Sequence, residues 1–166
     1  MNNRGLTLVE LIIAMVISGI IFLALTCQFV SELTFRTMIN NQIAATNEAS
    51  IVMRHMTRVL RYAKPLTIST TTASGYATSI MATIDYAAAG SNLPEFTADT
   101  VVTYGRKSDN TFEYSKGGVV DVISNRITAF PATSSWWDGA DLTIQITAQQ
   151  GNKSSSLNTK IHVLGT

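Results

Sequence analysis

The sequence has a single cysteine, Cys27, so no intrachain disulfide can form and a thiolate metal cluster is excluded. Cys27 lies in an apolar run, where a small packing side chain is the expected role. Proline is scarce. The first of three is Pro65, and neither proline nor glycine occurs from Ile20 to Ala63, so nothing in that stretch forces a helix to break. The two histidines, His55 and His162, do not form a metal-spaced pair, and the chain lacks both a Gly-x-Ser-x-Gly elbow and a glycine-rich phosphate loop. No catalytic residue, metal site or cofactor is expected. Asp138 and Asp141 could offer oxygens to a calcium ion, but two acids fall short of the six to eight ligands calcium takes, and a plain turn is the preferred reading. The net charge of +1 argues against a general nucleic-acid binder.

Charge is scarcest near the start. From Leu6 to Val30 the only ionisable side chain besides Cys27 is Glu10. A helix of that length rises roughly 37 Å at about 1.5 Å per residue, enough to cross a bilayer's hydrocarbon core. Arg4 precedes the run, which by the positive-inside rule puts the N-terminus in the cytoplasm and exports the remainder of the chain. The basic and small residues stand before the apolar run, with no cleavage pattern after it, unlike an ordinary secretory signal. A carboxylate at Glu10 is costly in such a segment unless it meets a partner.

The stretch Arg4-Gly5-Leu6-Thr7-Leu8-Val9-Glu10 resembles the start of the type IV pilin superfamily, which includes major and minor pilins and the pseudopilins of type II secretion. The resemblance implies that a membrane prepilin peptidase cuts between Gly5 and Leu6 and methylates the new amine of Leu6. It further implies that Glu10 faces the Leu6 amine of a neighbouring subunit in a filament. Gly19 falls where the family commonly has glycine, whereas Cys27 stands where major pilins often carry proline, so no kink is expected there. Implied partners are other pilin-like subunits, the peptidase, an inner-membrane assembly platform and membrane lipid. Details in the stem and head loosely resemble the larger minor pilins and minor pseudopilins placed at filament tips.

The expected organisation is a leader (1–5), a transmembrane helix (6–30), an amphipathic helical stem (31–64) and a β-rich soluble head (65–166). Phe35, Ile39, Ile43, Val52, Met56, Val59, Leu60 and Ala63 recur at helical steps as an apolar stripe, interrupted by a polar gap around Thr46 to Ser50. After Pro65 the chain turns to Thr, Ser, Val and Ile, with breaks about every ten residues. Strands are predicted at 66–71, 78–86, 100–104, 111–114, 119–123, 126–130, 142–147 and 159–163. Hairpin turns are predicted at 105–110 and 116–118, and loops at 87–94 and 132–140. The fold class is α+β: a long N-terminal helix packed on an antiparallel sheet.

Charge is uneven. Residues 31–64 carry five Lys or Arg against two acids, a net of +3, and residues 65–166 carry six against eight, a net of −2. Arg54, Arg58 and Arg61 share one helical face. A solvated or inter-subunit salt-bridge face is preferred there over DNA contact, and no nucleic-acid partner is favoured. Trp136 and Trp137 are candidates for a partner contact or for anchoring their loop. Ala14 and Ser18, beside Gly19, would permit close helix approach. The favoured function is a filament subunit, with an anchored DNA-binding or adhesive module as the alternative.

Overall fold

The computed structural model describes residues 7–69, 75–130, 138 and 140–164. Its first element is a single helix, α1, Leu8–Leu60, consistent with a stretch that holds one interior glycine and no proline. The chain divides into two units, residues 1–40 and 41–166.

In the first unit every described side chain is exposed. Its surface is apolar nearly all round, from Leu8 and Phe22 to Phe35. The helix is long and apolar enough to cross a membrane, and none of its most apolar stretch is buried.

In the second unit the end of α1 packs on two antiparallel sheets. A four-stranded sheet runs in the order β1 (Thr78–Ile84), β2 (Thr100–Arg106), β3 (Phe112–Lys116), β4 (Val119–Ser124). A three-stranded sheet is built from β5 (Ile127–Ala129), β6 (Asp141–Gln150) and β7 (Lys153–His162), in that order. The α+β class stands, with two sheets where one was expected. Both feed one core: Val52, Met56, Val59 and Leu60 of α1 meet Ile80, Ile84, Tyr104 and Phe112 from one sheet and Ile127, Leu142, Ile144 and Ile146 from the other.

The apolar stripe follows a different line along the helix from the expected one. Phe35 and Ile43 are exposed, and the buried line runs Ala45, Ala49, Val52, Met56, Val59. The supposed polar gap thus contains Ala49, fully buried, because small side chains let β7 approach the helix. Thr46 Oγ1 donates to Ser155 Oγ at 3.0 Å, and Gln42 Nε2 reaches the Ser154 carbonyl at 3.4 Å. A Cβ on Gly151, at the β6–β7 turn with φ 57°, would press on Asn41.

The other differences are local. The strand expected at 66–71 is instead a 3-10 turn, Pro65–Thr67, and a lone bridge between Ser69 and Met81; residues 70 and 71 lie outside the described residues. The loop expected at 87–94 begins as a short helix, α2, Tyr86–Ala89, capped by Asp85, whose carboxylate accepts from the Ala87 and Ala88 amides. Gly90 ends it with φ 47°. The turn expected at 105–110 is narrower, since Gly105 and Arg106 extend β2, and the reversal is closed by Lys107 N–H donating to the Thr111 carbonyl at 2.8 Å. The Gly117–Gly118 turn has φ of 56° and 91°, as a two-residue hairpin requires. Strand β6 runs to Gln150 and β7 begins at Lys153, both longer than expected. Most of the loop expected at 132–140 lies outside the described residues.

Candidate functional site

Two places gather the residues singled out by sequence. The first is the start of α1. Thr7 stands before the first helical residue, where backbone N–H groups have no partner within the helix. Its Oγ1 accepts from Glu10 N–H at 3.3 Å. In return Glu10 Oε2 accepts from Thr7 N–H at 2.8 Å and from Thr7 Oγ1 at 2.9 Å. This is a reciprocal capping box. The carboxylate also sits at the positive end of the helix dipole, which favours its charge. Glu10 therefore has a partner inside its own chain, one that the sequence reading missed although the Thr-x-x-Glu spacing signals it. Gly5 and Leu6, the expected cleavage and methylation positions, lie outside the described residues.

The second place is the exposed face of α1 in the second unit. Arg54, Arg58 and Arg61 rim a groove of about 610 Å³ whose walls include Met53, Tyr62 and Leu157. Arg58 Nη2 pairs with Glu95 Oε1 at 2.7 Å, and both side chains keep substantial exposure. Among the described residues neither Arg54 nor Arg61 has a carboxylate within ion-pair distance. The expected shared face is thus present, with one of its three arginines matched. Lys116 Nζ steadies the Glu95 loop by donating to the Glu95 carbonyl at 2.8 Å and lying 5.1 Å over the Phe96 ring.

His55 lies on the neighbouring flank. Its Nδ1 is 2.8 Å from the Tyr104 hydroxyl, and its ring meets Tyr114 edge-on with centroids 4.9 Å apart. His55 thus packs between helix and sheet. Burial, reinforced by the Arg58 charge, holds the imidazole below its ordinary value of 6.5, against the opposing pull of Glu95 and Asp121. The same burial raises the Tyr104 hydroxyl well above its ordinary range and pushes Tyr114 up to about 12.

Asp138 and Asp141 form the turn preferred by the sequence reading. Asp138 Oδ1 accepts from the Ala140 and Asp141 amides at 3.1 and 2.7 Å. Asp141 holds Lys160 at 2.6 Å and His162 at 2.8 Å. These bonds, backbone amides for Asp138 and Lys160 for Asp141, keep both carboxyls below their usual range. Their oxygens serve the protein's own donors. Trp136 and Trp137 lie outside the described residues. Cys27, Ala14, Ser18 and Gly19 are exposed on α1, and a Cβ on Gly19 would meet nothing within 4 Å.

Neither a curated protein nor a solved structure matches the chain. One family does: residues 1–26 match the prokaryotic N-terminal methylation motif. That match covers residues 1–6, the capping box and the first turns of the apolar helix, the same residues that the chemistry sets apart. At its N-terminus the chain therefore carries the prepilin-type motif of the type IV pilin superfamily, which supports a pilin-like subunit processed by prepilin peptidase.

Proposed function

We propose that the chain is a minor pseudopilin or minor pilin, a structural subunit of a type II secretion or type IV pilus-like filament. The observation that carries this reading is the methylation motif running directly into a capped helix whose apolar side chains stand exposed over residues 8–40. Such a surface needs lipid first and neighbouring helices afterwards.

The precursor sits in the cytoplasmic membrane with its N-terminus inside and its β-rich head exported. Prepilin peptidase cuts between Gly5 and Leu6, and Leu6 is methylated. The assembly platform, driven by an external ATPase, draws the helix into a filament. In the free subunit Thr7 satisfies Glu10. In the filament the Leu6 amine of a neighbour takes over, since opposite charges attract strongly where water is excluded, and the pairing sets register between subunits.

The test is intact mass and N-terminal sequencing of protein recovered from membranes with and without a co-expressed prepilin peptidase. Peptidase-dependent loss of residues 1–5, leaving a Leu6 terminus with or without one methyl group, supports the pilin route. An uncut chain in both samples rejects it. Glu10→Ala is expected to leave membrane insertion intact and to impair incorporation into filaments; normal incorporation disproves the charge pairing.

A second reading, an anchored module that binds DNA, draws on the unmatched Arg54 and Arg61. It requires salt-dependent DNA binding by the full chain in detergent, and no binding at low salt discards it.

A further inference from the structure

The arginine groove and strand β4 are complementary surfaces placed on neighbouring flanks of one helix. The groove is bordered on the β7 side by Leu157 and rimmed by arginines, two of them without an acid among the described residues. On the neighbouring flank His55 touches Tyr114, and Tyr114 is the register partner of Asp121 on β4. β4 is an edge strand of its sheet. Its Val119, Val120 and Val122 are 66, 51 and 63 % exposed, large apolar side chains bared on both faces of the strand. Asp121, exposed between them, makes no ion pair among the described residues. An edge strand with bared valines is a pairing hazard unless something covers it. The groove offers what such a strand lacks: apolar walls at Met53, Tyr62 and Leu157, and guanidinium groups for its carboxylate.

We infer that β4 of one copy docks in the arginine groove of a second copy, with Asp121 meeting Arg54 and Arg61. Charge complementarity selects this occupant, since Arg54 and Arg61 at the groove and Asp121 on β4 are each without an ion pair among the described residues of their own chain. The contact is heterologous, because the two surfaces differ. A heterologous contact leaves each copy a free groove or strand for a further neighbour. The inference rests on the filament reading above and adds to it a contact made by the second unit.

The test uses full-length chains carrying Cys27→Ala, co-expressed with prepilin peptidase as two differently tagged copies. One copy carries Asn92→Cys, at a residue that lines the groove, and the other Val120→Cys on β4, so a disulfide can form only between copies. The expected result is a cross-link between tags that weakens as salt rises. Asp121→Arg in the β4 copy, or Arg54→Asp with Arg61→Asp in the groove copy, is expected to cut its yield roughly tenfold, equivalent to about 1.4 kcal/mol. Combining the two swapped copies restores it. Denaturation midpoints equal to wild type show that the variants fold. The contact is overturned if charge reversal leaves the yield unchanged, or if Val101→Cys on β2 cross-links to the groove as well as Val120→Cys. It is also overturned if the arginine variants abolish DNA binding while the cross-link persists. N-terminal sequencing of the same membranes separates the two failures. Cleaved chains without a charge-dependent cross-link reject this contact alone, whereas uncut chains without one reject the filament reading with it.

Discussion

Over residues 8–40 helix α1 leaves every side chain exposed, and over the remaining turns to Leu60 it buries seven, among them Val52, Met56, Val59 and Leu60. The backbone hydrogen bonding is the same in both stretches. The partner of the side chains differs. In the later stretch the covering surface is two sheets of the same chain, so one stripe is apolar and the opposite face can carry arginines. In the earlier stretch leucine, isoleucine and phenylalanine point in all directions, a surface for lipid or other helices. One helix is therefore folded by its own chain at one end and awaits an outside partner at the other.

The sharpest way to break this comparison is to remove equal side chains from the two stretches. Leu60 is fully buried and Leu23 is 68 % exposed. Leu60→Ala is expected to destabilise the second unit by about 2–5 kcal/mol, the transfer and cavity cost of a core leucine. Leu23→Ala is expected to leave that stability unchanged. Urea denaturation of the full chain in detergent, monitored by circular dichroism, checks both. Similar losses from the two variants would show that the stretches do not differ in their partners.

Glycines make a smaller contrast. A Cβ on Gly105 overlaps the ring of Tyr76, whose hydroxyl donates to Glu113 at 3.0 Å beside the Lys107–Glu113 pair. Gly105→Ala must displace that ring, and the expected cost is about 1–3 kcal/mol, typical of overpacking. Gly19 has open space around it, so Gly19→Ala is expected to leave the second unit's unfolding unchanged and to act, if anywhere, on assembly. The same denaturation series decides. A Gly105→Ala variant as stable as wild type would mean that Tyr76 is not held over β2.

The legible parts of the fold were those with strong local signals. The helix could be read from a long stretch without breakers, and most strands from β-branched residues between glycine or asparagine turns. The N-terminal motif was legible because Gly5, Thr7 and Glu10 occur together at fixed spacing. What escaped depended on distant partners. The division into two sheets turns on whether Ile127 pairs with Val119–Ser124 or with β6, and nothing within ten residues of it decides that. The buried line through Ala45 and Ala49 was hidden because alanine among polar residues looks neutral until β7 lies against it. Asp85 as the cap of α2 and Thr7 as the partner of Glu10 were present as spacing but obscured by louder features, a supposed loop and a membrane charge. Arg58 finding Glu95 while Arg54 and Arg61 find no acid among the described residues depends on where the 93–96 loop lands.

Proton binding gives the smallest contrast and the finest probe. Residues 8–40 contain no histidine, whereas the second unit holds His55 in a half-buried niche between helix and sheet. Arg58 faces it as a like charge, Glu95 and Asp121 pull the other way, and Tyr104 and Tyr114 enclose the ring without titrating near neutrality. Burial and Arg58 prevail, so the folded chain holds the His55 proton less tightly than the unfolded chain does. Between the lowered value and about 6.5 the unfolded state binds more protons, and stability falls as pH falls through that window. The contribution of the neutral ring is fully present above about 6.5 and is lost below it. Denaturation midpoints measured from pH 7.5 down to pH 5 should show this slope in the wild type, and His55→Gln should flatten it. The acids at Asp138 and Asp141 act only nearer pH 4, because their carboxyls are held below the usual range. A slope unchanged in His55→Gln would assign the proton uptake elsewhere and remove His55 from the buried side of the comparison.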